Sequence, residues 1–340
     1  MVGTRIGNDG SSVRPTIPAR CTISSQPATT LATTGEFSVI DALVARTAQP
    51  ATTLVGPGDD CAVVAAPDGR VVATVDVLVD GVHFRTDWAT GEQIGRRAAL
   101  ASMADVVAMG AVPTALLVGL CAPGETPTDL VLDIGRGLDA EATKVGAGIV
   151  GGDITRSTVL TISVTVLGDL AGRDPVRRSG AQVGDVVAVV GRLGWAAAGL
   201  AVLSRGFRSP AALVGSYRVP EPPLAQGVVA ALAGATSMID VSDGLLADLR
   251  HLADESGVAI ELSTKVVPVH ARLTEVASAL GRDPMEWALT GGDDHALAAT
   301  FPDRAAIPPD WTPIGVVREG SGVIVDGEPW TAAGGWDHFG

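Results

Sequence analysis

The chain has 340 residues, 46% of them hydrophobic, which is enough for two cores and more than one ordinary domain requires. Its 38 acidic against 24 basic side chains give a formal charge of -14, which excludes the basic patch that a nucleic-acid backbone calls for. Three cysteines, Cys21, Cys61 and Cys121, fall in no zinc or C-x-x-C spacing, so no disulfide framework or thiol chemistry is expected and a reducing cytoplasm is the expected location.

Residues 1–34 are rich in Ser, Thr and Pro without an apolar run, and are expected to be a disordered tail. Helical spacing of Val39, Ile40, Leu43 and Val44 predicts a first helix. Segments 61–65 and 71–79 read as strands around the turn Pro67-Asp68-Gly69, a hairpin signal. A long helix over 92–109 carries Ser102, Asp105 and Met109 on one stripe. The apolar segment 98–121 is interrupted by Asp105 and Pro113, so no membrane span and no membrane partner are expected.

A strand over 114–121 precedes Thr126-Pro127-Thr128-Asp129, which reads as a capping box with Pro at the first helical position of a helix running to Gly146. A short strand, 148–150, then feeds Gly151-Gly152-Asp153, and 159–167 is rich in β-branched residues. The first domain is expected over 35–171 and a second over 172–340, joined by the polar, turn-rich stretch 172–184. In the second, 186–190 reads as a strand, 195–203 and the stretch from Leu224 as helices, and Leu245, Leu249, Leu252 and Ala253 form a helical stripe ending at Gly257. Strands alternating with helices in both parts predict two alternating α/β segments.

Chemistry concentrates in four clusters: Gly58-Asp59-Asp60, Gly151-Gly152-Asp153, Asp240-Val241-Ser242-Asp243-Gly244 and Gly291-Gly292-Asp293-Asp294, with single aspartates at Asp76 and Asp105. Each is expected at a strand end or a helix start, where loops carry function. Hard cations want oxygen ligands, so dispersed aspartates point to Mg²⁺ and nucleotide phosphates. The cluster before the stripe at Leu245 opens a helix, whose N-terminal N–H groups at Ser242 and Gly244 are expected to face a phosphate while Asp240 and Asp243 hold metal. With only Lys144 and Lys265 as lysines and no P-loop or protein-kinase motif set, phosphate charge must be met chiefly by metals and Arg.

The ordered run GPGDDCAVV, ATVDVLVDGVHF, SMADVVAMGA, IVGGDITR, RSGAQVGD, IDVSDGLLADL, LTGGDDHAL and WDHF resembles the thiamine-monophosphate kinases of the aminoimidazole-ribonucleotide-synthetase-like superfamily, from Gly35 to Phe339. That resemblance implies a two-domain fold, an N-terminal α/β domain that pairs strands in a homodimer and a C-terminal α+β domain that closes over the cleft. It also implies ATP-dependent, Mg²⁺-assisted phosphorylation of thiamine monophosphate with no side-chain nucleophile or general base. By motif position, Asp60, Thr74, Asp76, Asp105, Asp153, Asp240 and Asp243 are implied metal ligands. Gly151, Gly152, Asp153, Arg178 and Ser242 are implied nucleotide contacts, and His83, Asp293 and Trp336 implied substrate contacts. Two positions depart from the family pattern: Val75 stands where a second hydroxyl residue is usual, and Asp293 where Glu is usual.

Plainer alternatives stand beside each assignment. Asp59 and Asp60 also suit turns, Ser242 or Asp243 a helix N-cap, Asp105 a solvated helix face, and Arg178 a solvated pair with Arg177. Gly151 and Gly152 suit a tight turn, His83 and Trp336 simple packing, and Asp294 a structural role. For the whole chain the alternatives are another ATP-using member of the superfamily or a catalytically silent Mg-nucleotide-binding dimer.

Overall fold

A computed structural model of the chain describes residues 29–57 and 61–331. Asp59, Asp60, Trp336 and the expected tail up to residue 28 lie outside the described residues. In the first half the order is α1 (Leu31–Thr34), α2 (Glu36–Val44), β1 (Thr53–Val55), β2 (Val63–Val64), β3 (Val72–Val79), α3 (Gly91–Ala108), β4 (Val112–Ala122), α4 (Thr128–Lys144), β5 (Gly148–Arg156) and β6 (Thr161–Asp169). No helix or strand forms over 172–184.

The second half continues with β7 (Val186–Val190), α5 (Trp195–Ser204), α6 (Ala211–Arg218), α7 (Gln226–Leu232), β8 (Ser237–Val241), α8 (Leu245–Ser256) and β9 (Ala259–Leu262). It closes with α9 (Ala271–Leu280), α10 (Pro284–Thr290), β10 (Ala296–Phe301), β11 (Thr312–Arg318), β12 (Gly322–Val325) and β13 (Glu328–Pro329). None of the described helices is long and apolar enough to cross a membrane.

Four strands in the order β3-β6-β4-β5 make the first sheet, antiparallel except for the β4–β5 pair. Strand alternation sorts its faces: Ile162, Val164 and Val166 of β6 are buried, while Ser163 and Thr165 between them are only half-buried. The buried face packs with Ile94, Ala98 and Met103 of α3 and Val131, Ile134 and Leu138 of α4 in one core. These two helices approach backbone to backbone, since a Cβ on Gly95 would lie 2.0 Å from the Ile134 carbonyl oxygen. Seven strands in the order β13-β12-β9-β11-β7-β10-β8 make the second sheet. One of its cores is built with α8, through Leu245, Leu249 and Leu252. Val107 and Ala108 of α3 join another, beside Val190, Met238, Leu297 and Phe301, so a single helix is shared by both halves.

Local expectations fail where long-range pairing overrides them. The 61–65 and 71–79 segments form no hairpin, because β2 pairs with β1 and β3 pairs along its whole length with β6. No capping box forms at Thr126, since Pro127 itself is the N-cap of α4; the Thr128 hydroxyl instead meets that of Thr34 at 2.7 Å. That contact, with the Leu31 N–H donating to the Thr126 carbonyl, gives residues 30–34 a fixed place where the expectation was tail. Gly151-Gly152-Asp153 lies within β5, neither at a strand end nor in a turn.

The α3–α4 contact yields a test. Gly95→Ala should lower unfolding stability by about 1–3 kcal/mol through overpacking, read as a lower urea midpoint. An unchanged midpoint would show that the two helices have room to part.

Candidate active site

Helix α3 presents Arg97, Ala101 and Asp105 at successive i, i+4 positions to a cleft of about 560 Å³. From β3 the cleft receives Asp76, which shares a face with Thr74, and the Thr74 hydroxyl donates to Asp105 Oδ2 at 2.7 Å. Val75 alternates to the opposite face and is 58% exposed, so its side chain does not join that pair. Across the cleft stand Asp240 at the end of β8, Ser242 and Asp243 in the following loop, and Asp293 with His295 in the 291–295 loop. Those loops are stitched together: the Asp293 N–H donates to the Ser242 carbonyl at 2.8 Å and the His295 N–H to that of Val241 at 3.0 Å.

The electrostatics are those of crowded carboxylates. Burial, then the charges of Asp240 and Asp76, push Asp105 up to about 6 against the hydrogen bond from Thr74. Burial also raises Asp76, with Ser102 opposing. Asp248, buried on α8, is pushed up to about 8 by burial and by Asp240 and Asp243. Its Oδ2 accepts from the N–H groups of Asp243 and Gly244, both at 3.1 Å. The Gly244 N–H therefore serves Asp248 and not a phosphate, and no side chain caps α8, so Ser242 and Asp243 are not N-caps.

Two cationic groups relieve the crowding. His295 Nδ1 lies 3.1 Å from Asp240 Oδ2; burial works against its protonation, but Asp240 overcomes that and raises it. Asp293 is pushed up by burial and brought below the usual carboxylate range by Arg97, which it meets at 2.8 Å. His83 accepts the Val79 N–H on Nδ1 at 3.0 Å, which fixes that nitrogen as the unprotonated one. Asp294 is structural: its two oxygens accept from Trp195 and Ala196 at 3.0 and 2.8 Å at the start of α5, and burial carries it up to about 7.

Among the described residues no three Asp, Glu, His or Cys side chains converge tightly enough to hold a metal unaided. The donor set of Thr74, Asp76, Asp105, Asp240 and Asp243 is oxygen throughout, and its buried carboxylates repel one another. An open set of this kind fits Mg²⁺, which keeps waters and phosphate oxygens in its shell.

The remaining expected residues lie apart. Arg178 lines a neighbouring pocket with Thr74, Asp105 and Asp240, and its carbonyl accepts the Ser256 hydroxyl at 3.1 Å. Gly151, Gly152 and Asp153 line a separate, largely apolar cleft beside α2 and α4. Gly152 has a packing reason, since a Cβ there would sit 2.2 Å from the Val118 carbonyl oxygen of the paired strand. Arg97, His295 and Asp248 went unread in the sequence. Arg97 had a usable signal, being two helical turns before Asp105 on the same stripe; His295 becomes visible only once β8 and β10 are paired, whereas the partners of Asp248, the Asp243 and Gly244 N–H groups, are local.

Residues 58–170 match the model of the AIR synthase related protein N-terminal domain family. The chain is 51% identical over 313 residues to the thiamine-monophosphate kinase of Mycobacterium tuberculosis, covering 92% of this chain and 93% of that protein. Among solved structures it is similar to AaThiL complexed with AMPPCP and TMP, with a TM-score of 0.76, 33% identity and coverage of 90% and 97% of the two chains. It is also similar to the thiamine-monophosphate kinase of Stenotrophomonas maltophilia K279a, with a TM-score of 0.74, 34% identity and coverage of 86% and 95%.

Raised carboxylates set a pH dependence. Asp105, Asp294 and Asp248 titrate at about 6, 7 and 8 folded against 3.8 for a free carboxyl, so their contribution is fully present below pH 3.8 and is lost as pH rises through those values. The raised His295 acts with the same sign. Without Mg²⁺ the melting temperature should fall between pH 6 and 8.5; a flat or rising profile would contradict the repulsion. Asp248→Asn, which mimics the protonated acid, should keep stability at pH 7, whereas Asp248→Ala should cost about 1–3 kcal/mol by orphaning the buried Gly244 N–H and the half-buried Asp243 N–H.

Proposed function

The chain belongs to the thiamine-monophosphate kinase family, and from that premise we propose that it transfers the γ-phosphoryl group of ATP to the phosphate of thiamine monophosphate, giving thiamine diphosphate and ADP. The observation that carries this is the cleft itself, where the carboxylates of Asp76, Asp105 and Asp240, from β3, α3 and β8, gather. The acceptor phosphate is already an anion, so its oxygen attacks the γ-phosphorus in line while the bond to the β-phosphate breaks. Neither a side-chain nucleophile nor a general base is needed; the barrier lies in bringing two polyanions together.

We assign Asp76, Asp105, Asp240 and Asp243, with Thr74, as the residues that hold Mg²⁺, and Asp60 and Asp153 as further ligands by motif position. Bound there, Mg²⁺ would neutralise phosphate charge and orient the donor and acceptor oxygens. Arg178 and Ser242 are assigned to the nucleotide, and His83, Asp293 and Trp336 to the acceptor. The Asp293 carboxylate suits the cationic thiazolium of thiamine, and the indole of Trp336 suits stacking on one of its rings. We divide the chain at residue 172, with the first domain carrying nucleotide, metal and dimer contacts and the second closing the site. The cytoplasm is the location in keeping with this chemistry.

A homodimer is part of the same proposal. The face of the first sheet away from α3 and α4 leaves Val75 58%, Val77 49% and Leu117 37% exposed, an apolar strip suited to a second copy of the chain. Gly151, Gly152 and Asp153 on β5 join the nucleotide site in this reading through that assembly. Val77→Asp should convert a sedimenting dimer to monomer, and a wild type that sediments as monomer would remove this part.

A coupled assay tests the activity. With ATP and Mg²⁺, ADP and thiamine diphosphate should appear from thiamine monophosphate and not from free thiamine, and product from neither acceptor would overturn the proposal. Asp243→Asn should reduce turnover by about a hundredfold or more while leaving the fold intact, because charge stabilisation of phosphoryl transfer carries most of the rate. An unchanged rate would remove Asp243 from the site.

A further inference from the structure

Arg97 is buried, with 4% of its side chain exposed, yet the Asp293 side chain it grips is 46% exposed and lines the cleft. Its Nη2 meets Asp293 Oδ1 at 2.8 Å, and its Nη1 donates to the Tyr217 carbonyl oxygen. The guanidinium also lies 5.2 Å from the Tyr217 ring centroid, and that ring packs edge-on against Trp88 at 5.9 Å. Arg97 thus starts on α3 of the first half and is locked between α6 and the 291–295 loop of the second. Asp293 needs such a grip. Its φ of +67° is a left-handed conformation that costs a non-glycine residue about 1 kcal/mol or more, and the backbone bond to Ser242 fixes its main chain without aiming its side chain.

We propose that Arg97 is a positioning residue for acceptor capture, holding the Asp293 carboxylate aimed into the cleft and so setting the affinity for thiamine monophosphate. This rests on the assignment of Asp293 to the acceptor. A guanidinium suits the task because its planar fork serves Asp293 and the Tyr217 carbonyl together, which the single ammonium of Lys cannot do in the same geometry. Asp105, at the far end of the α3 stripe, is untouched by this contact, so nucleotide binding is expected to be spared.

The test is steady-state kinetics of the full chain carrying Arg97→Met, Arg97→Lys, Asp293→Asn, and the Arg97→Met/Asp293→Asn pair, varying thiamine monophosphate and ATP separately. Arg97→Met should raise KM for thiamine monophosphate about tenfold or more and leave KM for ATP within about twofold, a split that mere loss of packing would not produce. Arg97→Lys should recover part of the loss, and the double variant should be no worse than the worse single one, because both act on one contact. Should Arg97→Met fail to fold by circular dichroism, Arg97→Lys decides, with an expected rise of about threefold in KM for the acceptor alone. Unchanged acceptor KM in the folded Arg97 variants, or both KM values rising together, overturns the proposal. If Asp293→Asn leaves the acceptor KM unchanged in an active enzyme, the underlying assignment of Asp293 falls, and the Arg97 proposal with it. A raised value in Asp293→Asn with normal Arg97 variants overturns the role of Arg97 alone.

Discussion

Mutual repulsion among buried carboxylates is the constraint on which the rest of this structure depends. Two unit charges 4 Å apart interact at about 4 kcal/mol where the effective dielectric is near 20. Asp76, Asp105 and Asp240 come from three different elements, and the fold meets their cost in three ways. Protonation of Asp105 and Asp248 is favoured, His295 sits against Asp240, and Arg97 against Asp293. What is left over is an oxygen-rich opening whose charge calls for divalent cations and the phosphates they bring. The same imbalance that destabilises the bare cleft suits it to binding cations.

Helix α3 makes this arrangement possible. Its small residues let it lie against α4 at backbone distance, and its last turn enters the core of the second half, so Arg97 and Asp105 have fixed positions relative to both sheets. A helix buried on nearly every side cannot shift without disturbing two cores. The cleft is therefore rigid where the aspartates stand, and its 291–295 loop is held by the Ser242 and Val241 carbonyls and by Arg97. Preorganisation of this kind favours a reaction whose main demand is alignment of charged groups.

Much of the fold was legible, and for identifiable reasons. The β7 strand, the α5 helix and the α8 stripe follow from unbroken local periodicity, and all three stand close to where the pattern put them. The 61–79 hairpin fails because its turn signal is genuine, at Pro67-Asp68-Gly69, but β3 finds eight register partners in β6, a strand that no local pattern links to it. In the site, the aspartates announce themselves through glycine-flanked clusters, and Thr74, Asp76, Asp105, Asp240, Ser242, Asp243, His83 and Asp293 do face one region. Asp153 does not face it in a single chain. Arg97, His295 and Asp248 stayed hidden since their meaning lies in what they touch, and those contacts span between four and nearly two hundred residues of sequence.

The proposed Mg²⁺ site rests on a cleft that is short of positive charge. Its most direct test is calorimetric titration of Mg²⁺ at pH 6, where Asp105 is near its midpoint, in two buffers of different ionisation enthalpy, repeated at pH 8. Binding should displace protons at pH 6, and Asp105→Asn should reduce that displacement more at pH 6 than at pH 8. Binding with no proton displaced at pH 6, or with a displacement there that Asp105→Asn leaves unchanged, would contradict the assignment of Asp105 to Mg²⁺.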